Sequence, residues 1–305
     1  MSDKESEPRR HHYVPRCWLA GFTETGEKDG KLWVTDIVRR KQWESSPGGA
    51  GFIRDFYRLS DDEVDPVMVE KALSQIEGAV APILKSIGQE RRRPGRDEFR
   101  TLLYFIAIQW ARVPSFRPLV LNMFDTITRE ELARSLKSRE SWRKTLKEAG
   151  IAEDAPGASY ESMLESEQSG KYSITVQTEW YIQQMFKAAN IIFPTMQKRS
   201  WGGAISPTGA FIGCDSPVIV DGPKDKMIGF RNAEIITYAL SRYVLLYSTL
   251  PESDPFVSRK WIAHVNTLSL LRAEQQVFSH VPDFCWKDEN RKYQTDWTLF
   301  SKDKY

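Results

Sequence analysis

The sequence predicts an α+β fold, with a helical middle and short β-strands contributed by the N- and C-terminal parts of the chain. Apolar residues recur at helical spacing between about residues 65 and 198. Short β-branched runs bounded by turn residues stand on both sides of that region. No segment repeats at a fixed period, which excludes a repeat architecture. We therefore expect strands from both ends of the chain to join in one sheet packed on the helices.

The N-terminal part is predicted to contain a tail, a short helix and a hairpin. Residues 1–10 carry charge and almost nothing to bury, so we expect a disordered tail. A short helix should begin at Pro15, because a proline ring suits the first helical position. Alternating apolar and polar residues predict a hairpin of residues 32–38 with residues 42–45, and a glycine-rich connection at 48–51 leads out of it.

The middle of the chain is predicted to be helical. Apolar spacing predicts four helices, at residues 65 to about 90, 97–112, 118–149 and 176–198. The stretch RRRPGR at residues 91–96 breaks the first two, and we expect a solvated basic loop or, alternatively, a contact to phosphate. The helix at 97–112 is apolar nearly all round and should be buried centrally. An acidic insert near residues 150–170 is predicted to be mobile.

The C-terminal part is predicted to be mainly β-structure. Short β-branched runs predict strands at residues 209–214, 217–220, 235–240 and 242–248. One more helix, near residues 257–275, precedes a last strand that starts at residue 276.

The composition is that of a globular protein with no global preference for an anionic partner. Hydrophobic residues make up 41% of the 305 positions, and 43 basic residues against 41 acidic ones leave a net charge of +2. A nucleic-acid site would therefore be a local patch. The three cysteines are far apart, which argues against a disulfide framework or a structural zinc site. No window approaches the roughly 18 apolar residues of a membrane span, so we expect a cytoplasmic protein of one domain, residues 11–305, without a membrane partner.

Two of the four histidines stand side by side in RRHHYVPRCWLAGF, residues 9–22. His11 and His12 precede the helix expected at Pro15, and the positive end of a helix lowers the pKa of a nearby imidazole. A neutral His12 would accept a proton near pH 7, while His11, Arg16 and free backbone N–H groups would bind an anion such as phosphate. The alternative is structural: one histidine caps the helix or bonds a buried carbonyl, and the other faces solvent.

The predicted buried helix ends in a polar pair. Gln109 and Arg112 are three residues apart and share a face, directly before Val113-Pro114 stops the helix. A guanidinium buried there needs a carboxylate or a substrate anion beside it, because an unpaired buried charge is very costly. A structural ion pair is thus the alternative to substrate binding. Arg117, which follows the helix, would serve the same cleft or cover the surface.

An acidic residue follows the predicted strand in FIGCDSPV. Asp215 precedes Ser216-Pro217, a pattern typical of turns in which the carboxylate accepts backbone N–H groups. A strand end also presents reactive groups, so Asp215 is a candidate to orient a histidine or to bind a divalent metal. His264 and Asn266 share one end of the last helix, where a lone histidine is commonly structural.

These motifs together resemble the bacterial family called domain of unknown function 4238. The shared stretches are HHYVPRCWLAGF, LWVTD, FIAIQWARVPSFR, GCDSPV and VNTLSLLRAEQQVFS. By position, the resemblance implies a polar cleft built from His12, Gln109, Arg112, Asp215 and Asn266. This chain departs from the family pattern at Cys17-Trp18, where an aromatic pair is usual, and at Cys214-Asp215-Ser216, where Ser-Asp-Asn is usual.

Such a cleft contains the groups that phosphodiester cleavage needs. A neutral His12 would remove a proton from the nucleophile, Asp215 would orient it or hold a divalent metal, and Arg112 with Gln109 would stabilise the anionic transition state. The sequence carries no G-x-S-x-G elbow, Walker A loop, H-E-x-x-H or C-x-x-C motif. We therefore expect a nuclease or related phosphoesterase, with host defence as one setting. The alternatives are a non-catalytic module that binds nucleic acid or nucleotide, and a structural protein-interaction role.

Overall fold

The structure, a computed structural model, describes residues 10–57, 68–170, 176–223, 225–254 and 257–305. The N-terminal elements are β1 (Arg10–His12), α1 (Arg16–Leu19), β2 (Leu32–Asp36), β3 (Lys41–Ser45) and β4 (Phe52–Arg54). The middle is helical and contains α2 (Met68–Glu90), α3 (Arg96–Arg112), α4 (Phe116–Ser135), α5 (Arg139–Glu148), α6 (Tyr160–Ser169) and α7 (Thr178–Gln197). The C-terminal elements are β5 (Gly202–Ile205), β6 (Gly213–Cys214), β7 (Ile219–Asp221), β8 (Ile235–Ala239), β9 (Val244–Thr249), α8 (Arg259–Arg272), β10 (Gln276–Ser279), β11 (Trp286–Lys287) and β12 (Tyr293–Gln294). The predicted α+β class is confirmed.

The described strands form four antiparallel sheets. The first has the order β3-β2-β10-β6, so N-terminal strands pair with C-terminal ones, and Phe278 lies opposite both Val34 and Gly213. The second has the order β5-β9-β8-β7, while β1-β4 and β11-β12 are two-stranded. Strands from both ends therefore do join in one sheet, as expected, but that sheet does not contain all of them.

Trp18 of α1 separates the two larger sheets. A Cβ added to Gly213 of β6 would lie 2.5 Å from the Trp18 ring, so the indole packs directly on the backbone of the first sheet. Its N–H donates to the Ala239 carbonyl of β8 at 2.7 Å, and its ring lies 5.9 Å from that of Tyr238 on the same strand. The fully buried indole fills the space between the two sheets.

The predicted central helix is confirmed as α3, and all of residues 105–109 are buried. The helix begins after Gly95, whose N–H donates to the Glu98 carboxylate at 2.6 Å. It ends where Val113 becomes extended, as the residue before a proline usually does. This helix therefore brings Gln109 and Arg112 into the interior.

Residues 117–181 form one compact unit, and the rest of the chain forms the other. The single helix predicted over 118–149 is divided into α4 and α5, because Ser138 caps α5 by accepting a hydrogen bond from the Ser141 N–H at 3.1 Å. The segment near residues 150–170, predicted to be a mobile acidic loop, contains α6. The expectation of one domain over residues 11–305 stays a prediction.

Local packing explains why α6 forms despite its acidic composition. Ser159 caps its start, and Gly170 ends it in the left-handed conformation, with φ of 61°. Trp142 donates from its indole N–H to the Ala158 carbonyl just before the helix, at 2.7 Å. The apolar side chains around Trp142 include those of Leu136, Leu146, Ala158, Met163 and Leu164. The apolar residues of this segment, three and four positions apart, therefore stabilise the helix despite its acidic composition.

Other predictions of local structure are met in part. Residues 1–9 of the expected tail and residues 65–67 of the first predicted helix lie outside the described residues, and Arg10 belongs to β1. The strand predicted at residues 209–214 is limited to β6. The sequence did not predict β1, β4, β5, β11 or β12, because runs of two to four residues carry too little alternation to be recognised. No helix in the described ranges is both long enough and apolar enough to cross a membrane.

Candidate functional site

The histidine pair lies on a strand, and the chain then turns into α1. His12 pairs with Phe52 of β4, and their rings are 5.6 Å apart. The N–H groups of Tyr13 and Val14 both donate to the Gly51 carbonyl at 3.0 Å. Gly51 has φ of 63°, and a Cβ there would lie 2.7 Å from the Val14 Cβ, so this turn requires glycine. Two backbone features thus fix the position of His12.

The imidazole of His12 is neutral near pH 7 and carries an unused acceptor. Burial, followed by the positive charges of Arg16 and Arg112, lowers the pKa of His12 to about 4. The Gly48 backbone accepts a ring N–H, and Nε2 has no hydrogen-bond partner among the described residues. We infer that Nδ1 carries the proton and that Nε2, an atom buried from solvent, has an unshared lone pair. The expected pKa depression is present, but its cause is burial and arginine charge rather than the four-residue α1.

The Arg112 side chain is 2% exposed and organises the surroundings of His12. Its Nη1 donates to Glu77 at 2.7 Å, and its Nη2 donates to the His12 carbonyl. The Arg112 carbonyl accepts from the Tyr57 hydroxyl at 2.9 Å. Burial opposes the guanidinium charge, but Glu77 and Tyr57 outweigh it and raise the pKa of Arg112. The carboxylate that the sequence left unidentified is therefore Glu77.

Two carboxylates on α2, missed by sequence reasoning, complete the cluster. Glu70 and Glu77 are seven residues apart and share a face of the helix with the buried Leu73. Burial raises the pKa of Glu70, and the negative charge of Glu77 adds to the effect, against the charges of His11 and Arg112. The buried Oε1 of Glu70 has no hydrogen-bond partner in the described part of the chain. Acidic residues within an apolar helical stripe were the available signal.

The other polar residues of this region differ in their roles. His11 accepts from the Tyr57 N–H through Nδ1 at 2.8 Å, and the two rings are parallel to within 8°, so His11 holds the chain in place. Arg16 is exposed and lies over Gly48. Gln109, one turn before Arg112, is fully buried, and neither atom of its amide group has a partner among the described residues. Arg16 is thus exposed to a ligand, Gln109 has an unsatisfied amide in the interior, and His11 is engaged.

Asp215 is occupied by backbone groups. Its carboxylate accepts from the N–H groups of Glu274, Gln275 and Gln276 at 2.7–2.8 Å, which fixes the turn between α8 and β10. Burial raises the pKa of Asp215 to about 6 against these bonds, so the group is ionised at pH 7. Burial and then the charge of Asp215 raise the pKa of Tyr13, the residue after His12. Asp215 therefore borders the cluster, but its hydrogen bonds assign it to structure instead of to orienting His12.

The described residues contain no preformed set of ligands for the divalent metal that the sequence left open. Both oxygens of Asp215 already accept hydrogen bonds. Across the described ranges, no group of three histidine, cysteine, aspartate or glutamate side chains is arranged to hold a metal ion.

Asn266 and Arg117 make other contacts. Asn266 on α8 donates to the carbonyls of Ala210 and Cys285 at 2.9 and 2.8 Å, and it accepts from the Ile212 N–H at 3.3 Å. This amide ties three backbone segments together. Arg117 belongs to the unit of residues 117–181, where its guanidinium lies 5.3 Å from the Tyr181 ring centroid.

Replacing Asn266 with alanine is expected to lower the free energy of unfolding by about 2 kcal/mol, because buried backbone groups lose their partners. The change should leave any binding or activity at His12 intact. Urea unfolding measures the loss, and His264→Ala, an exposed position on the same helix, is the matched control. A loss no larger than that of the control would contradict the role of Asn266 as a tie between segments.

Stability should depend on His12 between about pH 4 and 6.5. The folded pKa of about 4 lies below the ordinary 6.5, so the unfolded chain binds the proton more readily in this window. Stability therefore falls as the pH is lowered. Urea unfolding at pH 7 and 4.5 should show a smaller loss for His12→Gln than for the wild type. Equal losses would mean that the folded protein does not depress this pKa.

Comparison with known proteins supplies a family and no function. Residues 10–283 match the family described as "Protein of unknown function (DUF4238)". Neither the curated proteins nor the solved structures contain a match to this chain.

Proposed function

The chain belongs to the DUF4238 family, and we propose that it hydrolyses phosphate esters at His12, as a nuclease or related phosphoesterase. One observation carries the proposal: a neutral imidazole with an unpartnered Nε2 lies within the fields of two arginines. An acceptor nitrogen in electropositive surroundings suits a reaction in which a base acts beside a bound anion. Phosphate esters carry that charge.

His12 is the proposed base. Its Nε2 takes a proton from a water molecule while the water oxygen forms a bond to phosphorus. Because the Gly48 backbone holds the opposite side of the ring, the lone pair is oriented before substrate binds. The low pKa makes this a weak base that stays unprotonated throughout the physiological range.

Glu70 is the proposed acid, a role that the sequence had not assigned to any residue. As the bond from phosphorus to the leaving oxygen breaks, the Glu70 carboxyl supplies the proton that this oxygen needs. Burial raises the pKa of Glu70, which favours the protonated form required. The two side chains then return to their starting states by exchanging protons with water.

The two arginines have different roles in the proposed reaction. Arg112 is held by Glu77 and the His12 carbonyl, so it positions the base and supplies a fixed positive charge. Arg16 is exposed and makes no ion pair with the described residues, so it is free to contact the phosphate. The Gln109 amide is a further candidate donor.

An assay of the wild type on single-stranded RNA, single-stranded DNA, duplex DNA and a chromogenic phosphodiester tests the proposal, with and without EDTA. Removing the Arg16 guanidinium should raise KM about tenfold, the effect of losing one charged hydrogen bond. Arg39→Ala is the matched control, since that arginine is exposed in the hairpin turn. Activity that EDTA abolishes would show that a metal is required. No turnover on any substrate would overturn the proposal.

Binding of nucleic acid or nucleotide without turnover is a second candidate. The observation that favours it is the pKa of about 4, which makes His12 a weaker base than an ordinary histidine. Affinity for single-stranded nucleic acid that falls steeply with salt, with no product formed, would identify this function.

A further inference from the structure

A cavity of about 640 Å³ lies beside α1, between the second half of α2 and the turn that joins β8 to β9. Loop residues 25–29 form its other wall. Four basic side chains line it: Lys28, Lys85, Arg91 and Arg242. Its volume is within the 300–1,000 Å³ typical of small-molecule sites.

Arg91 lines this cavity and has an unusual backbone conformation. Its φ of 51° lies in the left-handed region, which non-glycine residues rarely adopt. The guanidinium lies 4.2 Å from the centroid of the Tyr243 ring and donates to the Pro207 carbonyl at 3.2 Å. The neighbouring Arg92 instead pairs with Glu90 and Glu98. In the basic loop predicted from RRRPGR, Arg91 therefore lines the cavity, whereas Arg92 forms structural ion pairs.

Arg242 approaches the same tyrosine. Its guanidinium lies 4.6 Å from the Tyr243 centroid, and it donates to the Glu24 carbonyl at 2.9 Å. Neither Arg91 nor Arg242 has a carboxylate partner within the described part of the chain. Arg91 also donates to the Tyr243 hydroxyl at 3.4 Å. A guanidinium has five N–H donors, so each arginine is held by these contacts and retains donors for a ligand.

The opposite wall carries two lysines and two carboxylates and is neutral overall. Glu27 accepts from Lys85 at 2.7 Å and from Gln89 at 3.1 Å, which fastens the loop to α2. Lys28 and Asp29 of that loop make no ion pair with described residues. With Arg91 and Arg242 included, three cations thus face the cavity against one free carboxylate.

We propose that this cavity binds an organic phosphate of about mononucleotide size, with its phosphate on Arg91 and Arg242. Two fixed guanidinium groups suit the planar, two-point recognition of phosphate. Ala20, Pro82 and Leu84 give the cavity an apolar surface for the rest of the ligand. This site stands whether or not esters are cleaved at His12.

Calorimetric titration of the full chain with AMP, adenosine, ribose 5-phosphate and inorganic phosphate tests the proposal. We expect AMP to bind at least about tenfold more tightly than adenosine, which lacks the charge, and than inorganic phosphate, which lacks the body. Arg91→Ala and Arg242→Ala should each weaken AMP about tenfold and leave adenosine unchanged. Arg134→Ala, an exposed arginine paired only along its own helix, should leave all four affinities unchanged.

A second variant covers the case in which an arginine variant fails to fold, as judged by its melting temperature. Ala81→Phe adds bulk to the cavity lining without changing charge, and it should weaken AMP and ribose 5-phosphate while leaving inorganic phosphate unaffected. The proposal is overturned if AMP shows no saturation by about 5 mM. It is also overturned if adenosine or inorganic phosphate binds as tightly as AMP, or if the folded variants bind like the wild type.

Discussion

Replacing Arg112 with methionine is expected to lower the free energy of unfolding by about 3–5 kcal/mol, the usual cost of breaking a buried ion pair from one side. The variant leaves Glu77 without its 2.7 Å partner and Glu70 without a nearby positive charge. It also leaves the His12 carbonyl without its donor. Urea unfolding, with the slope compared between variants to check two-state behaviour, measures the loss.

A double-mutant cycle separates the ion pair from simple loss of packing. Glu77→Leu combined with Arg112→Met removes both charges of the pair, and this double variant should be more stable than Arg112→Met alone, because Glu77 no longer remains as an unpaired carboxylate. Arg134→Met supplies the surface comparison: its pair with Glu131 is more than half exposed, so the loss should stay below about 1 kcal/mol. If Arg112→Met lost no more than Arg134→Met, the pair would not stabilise the interior.

The sequence predicts that Arg112 has an anionic partner, because an unpaired buried charge is costly, but it does not identify Glu77 as that partner. A guanidinium at the end of an apolar helix must be paired, so its need for an anion follows from α3 alone. The identity of the carboxylate that pairs with Arg112 depends on how α2 packs on α3. No local sequence pattern predicts that packing. Glu77 is one of several acidic residues on α2, and only tertiary contact distinguishes it.

Asp215 illustrates the opposite case. The strand end and the following Ser-Pro are typical both of a turn and of a reactive carboxylate. The deciding fact is that three consecutive N–H groups, from residues 274–276, point at its oxygens. Those groups are about 60 residues away in the chain, and β6 meets them by pairing with β10. Long-range strand pairing thus assigns the residue to structure.

The sequence places His12 correctly beside the start of a helix, but the cause of its low pKa differs from the one predicted. Sequence reasoning placed it beside a helix start, and proline and glycine do turn the chain there. The strand β1 that holds it is three residues long and pairs with another of three residues, so neither has recognisable alternation. The pKa of His12 is lowered by burial between these short strands and by the charges of the arginines. The helix is not the cause.

Replacing His12 with alanine is expected to lower phosphoester hydrolysis by about a hundredfold or more, the usual scale for losing a general base. The fall should appear mainly in kcat, because Arg16 and Gln109 remain to bind the substrate. His12→Gln, which keeps polarity and approximate size, should lose activity to the same extent if proton transfer is the role of the ring. His264→Gln, an exposed histidine on α8, is the control and should keep full activity.

The pH profile distinguishes a base from a purely structural ring. A base with a pKa of about 4 is fully unprotonated above about pH 5, so kcat/KM of the wild type should show no fall attributable to His12 between pH 5 and 7. An ordinary histidine base would lose rate below about pH 6.5. If His12 were only structural, both substitutions would lower the free energy of unfolding by about 1–3 kcal/mol through unsatisfied partners, and any activity would fall only in proportion to unfolding. Activity lost at an unchanged melting temperature therefore identifies His12 as catalytic, and activity retained in the folded His12→Gln variant eliminates it.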